Sequence, residues 1–313
     1  MTNVFVLDVH ADEYKAELLA KHPDLKIGAA RNIAEAPADL SHVDVLVAFG
    51  TSISNDFLDR LTDLTWIQSL ATGVDHFLRW PGLKPNMMIT SGRGIHGAPM
   101  RETVAYLMLS ASRDVVGEVA RKQQHVWERR LWSLLTGKTA VVVGSGIAGS
   151  AIGKLLQAFE MHVIGLTRTP RAVPGFDEIM STDDLVEAAK RADYLINILP
   201  ASKNNLDIFS KAVFDAMKPT AYFINAGRGE TVDEAALIDT LKNNRIAGAG
   251  LDVYRTEPLP KDHPLWDMPN VFMTPHSGGY FIEYESYALP IVLENMQLFL
   301  AGQPKEMRNI IAR

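Results

Sequence analysis

Three residues in the last third of the chain carry complementary chemistry. Arg228 sits between glycines in Asn225-Ala226-Gly227-Arg228-Gly229, Glu257 precedes Pro258, and His276 lies in Thr274-Pro275-His276-Ser277-Gly278-Gly279. Taken singly, each has an ordinary explanation: a solvated loop arginine, a turn glutamate, a histidine bonded within a loop. Taken together they form a set. An arginine fork suits a planar carboxylate and the adjacent carbonyl oxygen of a 2-oxo acid. A histidine is the usual proton donor near neutral pH. A glutamate beside it orients the imidazole and stabilises its protonated form. Each follows an apolar run that reads as a strand, and in an open α/β sheet ligands sit beyond the carboxyl ends of strands. Asp252 ends the run before Glu257.

The group these residues would face is announced earlier. In Thr139–Gly153 (TAVVVGSGIAGSAIG) a β-branched run enters Gly144-Ser145-Gly146-Ile147-Ala148-Gly149, and a helical spacing follows. A lone GxGxxG is weak evidence; one between strand and helix is the setting for a dinucleotide pyrophosphate. The helix N-terminus offers its free N–H groups to the phosphates. The next strand ends Thr167-Arg168-Thr169, with no carboxylate where the ribose 2′-OH of NAD is usually held. Hydroxyls and a fixed cation suit a 2′-phosphate, so NADP(H) is favoured. NAD is the alternative, with Arg168 stacked on adenine.

The elements that must position these groups alternate. Before residue 98, strands are expected at Val4–Leu7, Val43–Phe49, Trp66–Leu70 and Met87–Thr90, with helices around Tyr14–Lys21 and Asn55–Leu61. The small residues Ala71-Thr72-Gly73 close the third of these strands and can present amides to an anion; an ordinary turn explains them equally well. Pro99 to about Trp127 reads as one long helix, buried through Val104, Leu107, Met108, Val115 and Val116. From Thr139 six strands are expected, at Ala140–Val143, His162–Leu166, Tyr194–Leu199, Ala221–Asn225, Ala247–Asp252 and Val271–Thr274, and a helical tail spans Tyr284–Leu300. The pattern predicts an α/β chain of two doubly wound parallel-sheet domains, the second a Rossmann domain, with an active-site cleft between them.

Composition narrows the function classes. A net charge of −6 over 313 residues, with basic residues scattered, gives no footprint for nucleic acid or an anionic membrane. The absence of cysteine removes disulfides, thiolate zinc, iron–sulfur clusters and thiol nucleophiles. The nine histidines are dispersed, so no metal is expected. No apolar run reaches a membrane span and the first residues lack a signal-peptide pattern, so a cytoplasmic location is expected.

The chain resembles the D-isomer-specific 2-hydroxyacid dehydrogenase family over nearly its full length. The resemblance is carried by Ala71–Asp75, the fingerprint at 144–149, NAGRG at 225–229, GLDVYRTEPLP at 250–260, HPLW at 263–266 and PNVFMTPHSGG at 269–279. It implies Arg228 on the substrate carboxylate and carbonyl, His276 as acid/base, and Glu257 as its support. Thr72 and Gly73 amides, with Ala71 and Arg93, would contact substrate. Leu199, Pro200, Ala226, Gly227, Asp252, His276 and Gly278 would line the cofactor, with Asn205 standing where a threonine is usual. Arg101 replaces a more usual small residue, and Arg93, His96, Trp132 and Tyr280 are candidates for specificity. The resemblance further implies a substrate domain of 1–97 plus 284–313, a dinucleotide-binding domain of 98–283, and a homodimer joined through the latter. A glyoxylate- or hydroxypyruvate-like 2-oxo acid is the expected substrate. The alternative is a dinucleotide-sensing corepressor or binding module on the same fold.

Overall fold

Runs of β-branched and aromatic residues build both sheets of the computed structural model, which describes residues 1–50 and 53–311. The chain divides into two units, Met1–Ile95 with Ile282–Arg313, and His96–Phe281. In the first unit β1 (Asn3–Leu7), β2 (Lys26–Ala30), β3 (Val45–Ala48), β4 (Trp66–Ser69) and β5 (Met88–Thr90) form a parallel sheet in the order β2-β1-β3-β4-β5. Helices α1 (Ala11–Lys21), α2 (Asn55–Leu58) and α3 (Asp75–Arg79) connect these strands. Ser54 caps α2 by accepting from Phe57 N at 3.3 Å, as its side chain predicts.

The second unit begins with α4 (Gly97–Ser112) and α5 (Val115–Gln123) and continues through β6 (Thr139–Val143), α6 (Ile147–Ala158), β7 (His162–Thr167), β8 (Glu178–Ser181), α7 (Leu185–Arg191), β9 (Tyr194–Asn197), α8 (Lys211–Ala216), β10 (Tyr222–Asn225), α9 (Glu234–Lys242), β11 (Gly248–Leu251) and β12 (Val271–Met273). Its seven strands are all parallel, in the order β12-β11-β10-β9-β6-β7-β8. Alternation along β6 sends Val141 and Val143 into the core shared with α7, α8 and α9, and Ala140 and Val142 into the core shared with α4 and α6. Both faces are covered, as a parallel sheet requires. The tail α10 (Tyr284–Leu300) belongs to the first unit, where Phe299 packs on Trp66 with ring centroids 5.0 Å apart.

Three expectations are corrected. The second sheet has seven strands rather than six, the additional one being β8 (EIMS), and the first sheet has β2 (KIGAA) beyond its four expected strands. Both are edge strands with half-exposed residues, so neither shows an unbroken apolar run. The long helix is broken at Asp114, whose φ of 51° is left-handed and whose carboxylate caps α5 by accepting from Gly117 N at 3.1 Å. Beyond the break no residue of α5 is buried, and Val116 is exposed.

Candidate active site

Parallel strands deliver all their carboxyl ends to one edge of the second sheet, and every loop of interest in this unit lies there. Gly144, at φ 114°, makes the exit from β6, and a Cβ on Gly149 would lie 2.0 Å from the Gly144 carbonyl oxygen. Only glycine allows that close return of α6 onto the turn. At Gly146, the N-cap of α6, a Cβ would meet nothing within 4 Å, so Ser145–Ala148 leave the amide end of a twelve-residue helix open to an anion. Thr167 ends β7 half-buried, and Arg168 and Thr169 follow it exposed. The glycine turn and the open helix end thus fit the pyrophosphate of a dinucleotide. β7 to β11 spans four strand spacings, about 19 Å, across the reversal of strand order between β6 and β9.

The loop carrying Arg228 is shaped by a buried polar network. β9 and β10 read Tyr-Leu-Ile-Asn and Tyr-Phe-Ile-Asn and pair residue for residue, with Tyr194 stacked on Tyr222 at 5.6 Å. Asn197 Nδ2 donates to Asn225 Oδ1 at 2.8 Å and to Thr231 Oγ1 at 2.7 Å. Asn225 Oδ1 also accepts from Gly227 N at 3.1 Å, and Thr231 Oγ1 donates to the Arg228 carbonyl at 2.7 Å. Asn197, Asn225 and Thr231 are each almost wholly buried. Amides with no access to water must satisfy one another, and their geometry therefore dictates the loop. Beside it the β9 loop holds Leu199 N on Asn197 Oδ1 at 3.0 Å, and Asn205 Nδ2 donates to the Pro200 carbonyl at 3.1 Å. Gly227 abuts Leu199, where a Cβ would lie 2.7 Å from the Leu199 carbonyl oxygen. Asn197 and Thr231 escaped the sequence reading, although the repeated Tyr-x-Ile-Asn strands were a visible signal.

Asp252 organises the last loop. Its carboxylate accepts from Thr274 Oγ1 at 2.6 Å, Ser277 N at 3.0 Å and Gly278 N at 3.0 Å, and its carbonyl accepts from His276 N at 2.8 Å. Thr103 of α4 donates to the Gly278 carbonyl at 2.9 Å. So held, His276 adopts φ 52°, a left-handed conformation uncommon outside glycine. Its Nδ1 lies 2.6 Å from Glu257 Oε2, while Glu257 Oε1 accepts from Tyr254 N at 2.9 Å. About a third of each side chain is exposed, 33% and 34%. Burial opposes the charge on Glu257, but the bonds from His276 and Tyr254 N and the charges of His276 and Arg228 outweigh it, holding the carboxyl below its ordinary range. With Nδ1 turned to a carboxylate, Nε2 is the nitrogen left to exchange a proton.

The substrate-contact candidates Ala71, Thr72, Gly73 and Arg93 belong to the first unit, and the specificity candidates Trp132 and Tyr280 to the second. Ala71, Thr72 and Gly73 follow β4, with Ala71 buried, Thr72 exposed and the Ala71 carbonyl accepting from Gly92 N at 2.9 Å. Arg93 follows β5, is exposed, and its carbonyl accepts from Asn309 Nδ2 at 2.8 Å. Of the specificity candidates, Trp132 lies under Arg130, whose Cζ stands 5.7 Å from the ring centroid. Tyr280 is exposed.

Residues 105–278 match the family described as D-isomer specific 2-hydroxyacid dehydrogenase, NAD binding domain. A D-3-phosphoglycerate dehydrogenase of Methanocaldococcus jannaschii is 30% identical over 98% of this chain, which spans only 59% of that relative's length. The crystal structure of a D-isomer specific 2-hydroxyacid dehydrogenase family protein from Aeromonas salmonicida superposes with a TM-score of 0.89 at 30% identity, covering 99% of each chain. An NADPH-dependent glyoxylate/hydroxypyruvate reductase of Sinorhizobium meliloti, solved with NADP and sulfate, superposes with a TM-score of 0.84 at 28% identity, covering 99% of this chain and 98% of its own.

Proposed function

Since the chain belongs to the D-isomer specific 2-hydroxyacid dehydrogenase family, we propose that it reduces a small 2-oxo acid of the glyoxylate or hydroxypyruvate kind to the D-2-hydroxy acid, using NADPH in preference to NADH. The observation that carries this reading is the His276 Nδ1–Glu257 Oε2 pair at 2.6 Å, with Arg228 presented from the neighbouring strand end. When bound, a nicotinamide supplies the hydride that reaches the carbonyl carbon. Arg228 binds the carboxylate and carbonyl oxygen and stabilises the negative charge that grows there. His276 gives the proton from Nε2 to that oxygen, completing the hydroxyl, and is left neutral to be reprotonated from water. Glu257 keeps the imidazole oriented through its bond at Nδ1, so that Nε2 faces the reacting oxygen. Ala71, Thr72, Gly73 and Arg93 are assigned to substrate binding. Gly144–Gly149, Leu199, Pro200, Asn205, Ala226, Gly227, Asp252 and Gly278 are assigned to the cofactor.

Preference for NADPH is supported by Thr167-Arg168-Thr169 at the end of β7 and by the NADP bound in the Sinorhizobium reductase. A homodimer is supported by the exposed apolar side chains Val116, Val119, Val126, Trp127, Leu131 and Leu134 in the second unit. The decisive experiment follows absorbance loss of NADPH, and separately of NADH, on addition of a panel of 2-oxo acids. Turnover with at least one small oxo acid is expected, faster with NADPH. Arg168→Ala should raise KM for NADPH about tenfold and leave that for NADH nearly unchanged. No turnover with any oxo acid overturns the reading, and equal losses for both nucleotides overturn the role of Arg168.

A further inference from the structure

The three loops of the proposed site meet at one side chain that the reaction does not use. Tyr254 stands between Asp252 and Glu257 and is only 7% exposed, its ring part of the core shared with α7, α8 and α9. Its backbone N–H donates to Glu257 Oε1 at 2.9 Å, on the carboxylate whose other oxygen meets His276. Its hydroxyl crosses to the neighbouring strand end and donates to the Thr274 carbonyl at 2.8 Å, with the Leu251 carbonyl at 3.1 Å. Thr274 lies two residues before His276. On its other side Tyr254 abuts Gly229, where a Cβ would stand 1.9 Å from the Tyr254 carbonyl carbon and 2.0 Å from its oxygen. Gly229 directly follows Arg228. One residue therefore touches the segments that carry Arg228, Glu257 and His276.

A hydroxyl serves here only while it keeps its hydrogen. Burial, with the charges of Asp252 and Glu257 beside it, pushes the Tyr254 hydroxyl up from its ordinary value, so it stays a donor at neutral pH. Its single hydrogen is shared by two carbonyls, one at the end of β11 and one just past β12.

We infer that Tyr254 is a positioning residue for the reduction: bonded to the Thr274 carbonyl by its hydroxyl and to Glu257 by its amide, it keeps the His276 loop in register with that carboxylate. The inference rests on the reading of His276 and Glu257 given above. Removal of the hydroxyl leaves the ring and the amide in place but frees the stretch that leads into His276. The Glu257 carboxyl then loses its bond from the imidazole and keeps only the Tyr254 amide and the charge of Arg228, so it rises toward its ordinary value.

The test compares wild type, Tyr254→Phe and Tyr254→Leu as whole proteins, at saturating NADPH with the best oxo acid of the panel. Phenylalanine should lower the plateau kcat about tenfold, with the oxo-acid KM and the nucleotide Kd within about twofold of wild type. The acid limb of its kcat profile should lie at higher pH than that of wild type, because a carboxyl of raised pKa is protonated sooner as pH falls. Leucine, which removes the ring as well, should share the displaced limb and melt at a lower temperature. A role in core packing alone lowers the melting temperature and leaves the limb where it was. In Tyr254→Phe, a plateau kcat within twofold of wild type or a coincident acid limb overturns the inference, whatever leucine does to stability. Should leucine fail to fold, phenylalanine decides by itself. A wild-type protein that turns over no oxo acid overturns the reading beneath and this inference with it, a result distinct from active wild type with an indifferent Tyr254.

Discussion

Each unit of this protein buries a network of amides and hydroxyls at its sheet, and the two networks hold different things. In the first unit Trp66 Nε1 donates to Thr90 Oγ1 at 2.9 Å, Thr90 Oγ1 donates to Gln68 Oε1 at 2.8 Å, and Asn295 Nδ2 reaches the same oxygen at 2.8 Å. Asn295 Oδ1 then accepts from Arg308 N at 2.7 Å. That network ties β4 and β5 to α10 and the segment after it; it closes the unit with the end of the chain. In the second unit Asn197, Asn225 and Thr231 shape a loop that ends in an arginine. Satisfied buried polar groups rigidify whatever they touch. One network therefore contributes to stability, and the other fixes the loop that carries Arg228, the proposed substrate-binding residue.

The comparison can be broken or sharpened by experiment. The largest effect belongs to the loop chemistry itself. His276→Ala should lower kcat by about a hundredfold to ten-thousandfold with little change in nucleotide affinity, read by steady-state kinetics and nucleotide titration. A near-normal rate would remove His276 from the acid role. An intermediate effect separates the networks directly. Asn225→Leu should lower kcat/KM for the oxo acid by about tenfold or more at temperatures well below melting. Asn295→Leu should cost about 1–3 kcal/mol of stability, because Arg308 N loses its acceptor, yet leave kcat/KM within about twofold. Equal kinetic losses in both variants would erase the distinction. The smallest effect concerns pH. Glu257 is ionised below its ordinary range, so its contribution is fully present above the usual carboxylate pKa and fades as pH falls through the lowered value. In Glu257→Gln the acid limb that this gives the rate profile should disappear, and an acid limb identical in wild type and variant would detach it from Glu257.

Much of the fold was legible because a parallel sheet covered on both faces needs continuous apolar strands. Val141–Val143 and Val45–Ala48 announce themselves for that reason, whereas Trp66–Ser69 carries the buried polar Gln68 and Ser69. The edge strands β2 and β8 did not, since half-exposed residues carry no such constraint. The break at Asp114 was hidden by apolar spacing that continues through Val115 and Val116, whereas the structure turns those residues out of the core. A periodicity reports a potential face, not the partner that would bury it.

For the candidate site, residue types and order along the chain determined most of what it offers: the glycines at 144–149, the cationic end of β7, and Arg228, Glu257 and His276 each placed after its own strand. Local chemistry and the strand-end rule were enough for that, because parallel strands send successive loops to one edge. What only the tertiary structure decided is direction. Asp252 bends the last loop until His276 meets Glu257 at 2.6 Å. Paired asparagines 28 positions apart shape the arginine loop, and Thr103 grips the Gly278 carbonyl from a helix more than a hundred residues upstream. Hydrogen bonds among buried groups distant in sequence have no local signature, so only the folded chain reveals them.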